Sequence, residues 1–187
     1  DRGVELIARR DPAASVALDL GKHVYCEKPL SHTVPEARAL AKLAAKNKLA
    51  TQMGTQVHAS DNYRRVVELI QGGAIGNVTA VHNWCNKGWS DGRFKTVDTP
   101  APKNLDWDLW LGGAAMRPYS PHYVPYNWRG FFDFGTGQVG NWATHTAGPV
   151  HHALQLGSPT SVECIAQIGK SNITFPERGI IRLDFPS

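Results

Sequence analysis

The sequence lacks several things that would decide its class at once. No run of apolar residues approaches the ~20 needed to cross a membrane as a helix, and no signal segment opens the chain. Cysteine is scarce: Cys26, Cys85 and Cys164 form an odd, widely spaced set without a CxxC pair. That argues against a disulfide framework or a zinc site. Clustered charge is also missing. The net charge of +4 comes from 20 basic and 16 acidic residues spread along the chain, and the densest group (Lys42, Lys46, Lys48) reads as the solvated face of a helix. A nucleic-acid footprint needs a basic patch, so neither nucleic acid nor membrane is an expected partner. Internal repeats and low-complexity segments are absent. The first residue is not Met, so the compartment stays open: cytoplasmic, or periplasmic with an export signal upstream.

What is present suits a folded protein. With 42% hydrophobic and 19% charged residues, the 187-residue chain can bury a core, and its length allows one domain or a small one plus part of another. Gly3 to Ala8 reads as a short strand. Asp11-Pro12 is an N-cap followed by proline at the first helical position, and the helix should stop at Gly21. A strand through Val24 to Glu27 follows. Thr33 and Glu36 have capping-box spacing, and the helix beyond them sets Ala37, Leu40, Ala41 and Ala44 on one face. Leu49 to Met53 is another short strand. The resulting strand–helix alternation is that of a parallel sheet.

Beyond it, Asp61 to Gln71 is a helix with Val66, Val67, Leu69 and Ile70 apolar, closed by Gly72-Gly73. Asn77 to Asn86 alternates apolar and polar residues, as a half-buried strand does. Residues 87 to 135 are irregular and hold Trp89, Trp107, Trp110 and Trp128. Such rings either stack on sugars or anchor a long loop to its domain. A helix from about Gly137 to Leu156 and strands at Ser161 to Ile168 and Gly179 to Phe185 complete the chain.

Three stretches bear on chemistry. Lys28 stands at the end of a strand and before Pro29, which holds it in extended geometry; the Lys28-Pro29 bond is also one that can be cis. The carboxyl end of a strand is where α/β sheets bind ligands, whereas the plain alternative is a solvated lysine beside a turn. Gly135-Thr136-Gly137-Gln138-Val139-Gly140 fits the GxGxxG dinucleotide fingerprint, with Glu163 about twenty residues on. The segment before it, Phe131-Phe132-Asp133-Phe134, is too short and too polar for the buried first strand of a nucleotide fold, so the match reads as a decoy. Asn141, His145, Gly148 and His152 recur at spacings that put them on one helix face. A histidine there and a strand-end lysine make a reasonable acid–base pair. Taken alone, a histidine such as His145 is more often a hydrogen-bonded structural residue. For His145, His151 and His152 no carboxylate completes a metal triad at ligand spacing.

Several of these motifs resemble one family. His23-Val24-Tyr25-Cys26-Glu27-Lys28-Pro29-Leu30 resembles the lysine motif of the Gfo/Idh/MocA oxidoreductases, the glucose-fructose oxidoreductase and inositol dehydrogenase group. Leu105 to Gly112, Asn127 to Gly130, Asp133 to Gly137 and Gly140 to His145 resemble further segments, in the same order. The resemblance runs from about residue 16 onward. It implies an α/β protein in which residues 1–56 are the C-terminal remnant of a Rossmann domain. Residues 57–187 would then form an α+β substrate domain with an open, largely antiparallel sheet. It implies NAD or NADP as cofactor, a sugar, inositol or related polyol as substrate, and a homo-oligomer formed through the C-terminal sheet. Lys28 would contact substrate and assist proton transfer, and Glu27, Lys28 and Pro29 would lie by the nicotinamide. His145 would be the catalytic histidine, with Trp128 and Arg129 joining Lys28 and His145 in binding substrate.

Two positions depart from the family pattern. Asn141 stands where an aspartate is usual, and Gly148 where one is often found; an amide can orient a hydroxyl but cannot take its proton. The glycine-rich first half of the Rossmann domain also has no counterpart. Three functions are therefore compatible with the chain: an NAD(P)-dependent oxidoreductase or a fragment of one, a hydrolase or lyase using transient oxidation by bound NAD, and a non-catalytic remnant or scaffold.

Overall fold

Proline at position 12 starts the first helix of the computed structural model, which describes residues 12–89, 96–169 and 171–186. The strand expected at Gly3 to Ala8 and the N-cap Asp11 lie outside the described residues. Contacts divide the chain into two compact units, Asp1–Gly54 with Thr96–Tyr123, and Thr55–Lys95 with Val124–Ser187.

In the first unit, α1 (Pro12–Asp19), β1 (Val24–Glu27), α2 (Val34–Lys46) and β2 (Thr51–Gly54) follow in order. The strands pair in parallel with Val24 opposite Thr51 and Glu27 opposite Gly54. Eight residues are too few for a helix to persist alone, so α1 depends on packing. It closes with Gly21 at φ +72°, where the Lys22 N–H donates to the Ala17 carbonyl and the Gly21 N–H to that of Leu18. Thr33 and Glu36 form the expected capping box: the Glu36 carboxylate accepts from the backbone N–H groups of Thr33 and His32, each at 2.9 Å. That accounts for a carboxylate only 6% exposed.

Ala14, Leu18, Leu40 and Ala44 are the core between α1 and α2, with Val24, Leu30, Leu43 and Leu49 packed against it. Burying a leucine such as Leu18 or Leu40 contributes about 1.5–3 kcal/mol. Ala41, expected on the buried face, is exposed, because the stripe that meets α1 follows the Leu40–Ala44 row and turns the next residue outward.

The rest of the first unit, residues 96–123, packs around Trp107 of the short helix α4 (Trp107–Leu111). Its indole stacks on Trp110 at 4.8 Å and on Tyr123 at 5.8 Å, meets Tyr119 edge-on, and donates Nε1–H to the Arg117 carbonyl at 2.7 Å. For Trp107 the loop-anchor role holds.

In the second unit, α3 (Asp61–Gln71) packs on α5 (Gly137–Ala153), and a 3-10 turn (Asn127–Gly130) packs on α5 as well. Of the apolar residues expected on α3, Val67 is buried while Val66 and Leu69 are exposed. The alternating segment 77–86 is not a paired strand. It pairs with no described strand and is exposed throughout apart from half-buried Val78. Alternation specifies which side chains share a face, but a ladder also needs a partner edge, and no described strand offers one here. The strands β3 (Ser161–Ile168) and β4 (Arg178–Asp184) pair antiparallel, with a bulge between Cys164 and Ala166. All of their residues are exposed, on both faces.

Candidate active site

Lys28 directly follows β1, at its carboxyl end, and is half-buried between exposed Glu27 and Pro29. The Lys28–Pro29 peptide bond is cis. Two contacts hold the start of β1 against that of β2: His23 Nδ1 accepts the Ala50 N–H at 2.9 Å, and Val24 N–H donates to the Ala50 carbonyl at 3.0 Å. His23 therefore serves register, with its ring proton on Nε2.

His145 and Asn141 belong to the second unit, both half-buried on α5. The His145 ring packs against the Trp142 indole at 5.2 Å. The Lys87 ammonium lies 5.9 Å from the same indole, whose buried Nε1–H has no hydrogen-bond partner among the described residues. One turn on, Pro149 sits inside the helix and offers no N–H to the carbonyl of His145.

The polar stripe of α5 has a neighbour that its own sequence does not reveal. His58, in the loop before α3, lies over Gly148: a Cβ at Gly148 would come 3.1 Å from the His58 ring. His58 Nε2 donates to the Thr144 carbonyl at 2.7 Å, so its proton is on Nε2. Tyr63 bridges His58 and His152, at 5.0 and 5.7 Å between rings. An imidazole thus fills the space beside Gly148, where the family pattern often has a carboxylate. Its signal in the sequence was only a histidine before an N-cap serine, Ser60, which points to no role.

The glycines of the GxGxxG match are occupied by packing. A Cβ at Gly135 would run into the Arg129 backbone, one at Gly137 would lie 2.6 Å from the Phe175 ring, and one at Gly140 would strike Thr136. Gly137 also has φ +65°, which favours glycine. The match seats the 3-10 turn and Phe175 against the start of α5.

That turn carries Trp128 and Arg129. The Arg129 guanidinium lies 4.5 Å from the ring centroids of both Tyr126 and Trp128, and 5.9 Å from that of Trp89. Its Nη1 donates to the Tyr126 carbonyl at 3.0 Å. Each cation–π contact is worth about 0.5–1 kcal/mol where exposed and more where water is excluded. Trp89 is only 3% exposed, so it anchors its segment rather than offering a free stacking face.

The expected residues therefore fall into three groups: Glu27, Lys28 and Pro29 at one strand end, Asn141 and His145 on α5, and Trp128 and Arg129 on the turn packed against α5. Lys28 belongs to one unit and His145 to the other.

Comparison with known proteins places the chain in a family. A sequence model of the Gfo/Idh/MocA oxidoreductase family's C-terminal alpha/beta domain matches residues 64–178, and one of its NAD-binding Rossmann fold matches residues 11–55. The chain belongs to the Gfo/Idh/MocA oxidoreductase family. It is 29% identical over 100 residues to an uncharacterized oxidoreductase of Rhizobium meliloti, and 27% identical over 105 residues to a D-xylose 1-dehydrogenase [NADP(+)] of Haloarcula marismortui. These alignments cover 54% and 56% of this chain but 27% and 28% of the relatives.

A dinucleotide needs a strand-end platform for its nicotinamide and a backbone cradle for its pyrophosphate. Glu27, Lys28 and Pro29 fit the first. The links from β1 to α2 and from β2 to α3 contain no glycine, and the GxGxxG match is packed, so no glycine-rich cradle occurs among the described residues. The Gfo/Idh/MocA residues described here fit the nicotinamide end alone.

Proposed function

We propose that this chain works as an NAD- or NADP-dependent oxidoreductase, or as a fragment of one, on a sugar, inositol or related polyol. Residues 1–56 would be the cofactor-side segment and 57–187 the substrate domain. The observation that carries the reading is Lys28 at the carboxyl end of a parallel strand, within the segment that matches the NAD-binding fold. In this reading Lys28 and His145 are the acid–base pair. His145 takes the proton of the hydroxyl being oxidised, Lys28 holds that oxygen and assists the transfer, and Asn141 orients the substrate through its amide. The chemistry supplied by NAD or NADP, when bound, is hydride acceptance. Trp128 and Arg129 contribute to the substrate side. A homo-oligomer through β3 and β4 belongs to the same proposal; exposed Val162, Ile180 and Leu183 support it.

The test is nicotinamide absorbance with NAD and NADP against aldoses, inositols and related polyols, alongside calorimetric titration of each dinucleotide. Reduced cofactor should accumulate with at least one polyol, and Lys28→Ala and His145→Ala should each lower turnover by about 10²-fold or more. Unchanged turnover in both variants would favour a scaffold. Asn141 and Gly148, where the family carries carboxylates, favour one second reading: hydrolysis or elimination through transient oxidation. Product formation with cofactor that stays oxidised would select it.

A further inference from the structure

Arg129 is a charged side chain that the fold treats unusually. It is half-buried on a turn that packs against α5, and Gly135 passes so close to its backbone that no side chain fits there. Three aromatic rings, Tyr126, Trp128 and Trp89, approach the guanidinium. Among the described residues no carboxylate lies within ion-pair distance of it, whereas Arg178 has one and Arg182 two. Of its five N–H donors, one is used, by the Tyr126 carbonyl at 3.0 Å. Four donors remain, and a guanidinium carries its donors in pairs that read a carboxylate or phosphate bidentately, a fork that a lysine does not present.

We propose that Arg129 is an oxyanion-reading side chain, and that the ligand of this unit is a sugar or polyol bearing a carboxylate or phosphate rather than a neutral one. This rests on the sugar or polyol reading above and narrows it. The same turn packs on the helix that carries Asn141 and His145, so the anion would be held within the unit that supplies the histidine. The alternative for Arg129 is a purely structural latch between the Trp89 segment and the turn.

Calorimetric titration of the 187-residue chain with D-glucuronate, D-glucose 6-phosphate and D-glucose separates these. One charged sugar should bind about tenfold or more tighter than D-glucose, and that advantage should shrink in high salt. Whichever charged sugar binds tighter identifies carboxylate or phosphate as the source of the anion. Arg129→Gln should abolish the advantage, so that within this variant the charged sugars bind no tighter than D-glucose, while Arg129→Lys should retain only part of it. Equal affinity for all three sugars in the unsubstituted chain would overturn the proposal and leave the sugar reading standing. Equal weakening of all three by Arg129→Gln would assign the latch instead. Binding of none would overturn the proposal together with the sugar reading. The comparison of sugars on the unsubstituted chain needs no variant, so it decides the matter even if Arg129→Gln fails to fold.

Discussion

The strands β1 and β2 run parallel with α1 and α2 packed over a shared core, whereas β3 and β4 run antiparallel with every residue exposed. Among the described residues both pairs contain only two strands, so strand number does not separate them. The connection does. Parallel strands need a crossover long enough to hold a helix, and α2 brings its apolar stripe with it. Antiparallel strands need only a turn, so their pairing brings no cover, and Val162, Ile180 and Leu183 stay in water. Hydrogen bonds make a sheet; what its connections carry decides whether it has a core.

The comparison can be broken most forcefully at the leucines. Leu18→Ala should cost about 2–5 kcal/mol in denaturant unfolding, because it opens a cavity in a closed core. Leu183→Ala, at a residue 46% exposed, should cost under about 0.5 kcal/mol in dilute protein. A penalty for Leu183→Ala that grows with protein concentration would mean a second copy covers the sheet; equal penalties for both leucines in dilute solution would end the comparison. Next in size is Thr33→Ala, which removes one half of the capping box of α2 and should cost about 1 kcal/mol by the same measurement. The smallest effect belongs to the open sheet. Arg182 bridges Glu163 at 2.8 Å and Asp184 at 3.6 Å across solvent, so Arg182→Met should cost about 0.2–1 kcal/mol and nothing measurable at high salt. A salt-independent loss would show that this pair is shielded after all.

Much of the local structure was legible because its causes are local. Thr33 and Glu36 announced a capping box, Asp61 and Gln71 bounded α3 as expected, and Gly21 and Gly73 ended helices in left-handed geometry. Lys48 and Gln155 end helices in that same geometry without being glycine, at φ +52° each, which residue type alone does not signal. The segment 77–86 had the alternation of a strand, yet it pairs with nothing described, since a ladder depends on an edge distant in sequence. At the site, Lys28 and the α5 stripe were legible from a proline and a helical period. His58 was not, because its place over Gly148 follows from how α3 meets α5.

The sequence by itself determined the family, the helices α1, α2, α3 and α5, the capping box of α2, the strand-end position of Lys28 and the common face of Asn141 and His145. All of these rest on a residue and its near neighbours. Only the tertiary structure decided that the GxGxxG glycines are filled by Arg129, Phe175 and Thr136, that Trp107 anchors its loop, and that His58 lies beside the helix of His145. Each depends on close packing, and where that packing joins distant segments, as between Gly137 and Phe175 or His58 and Thr144, it is set by three-dimensional approach rather than by local preference.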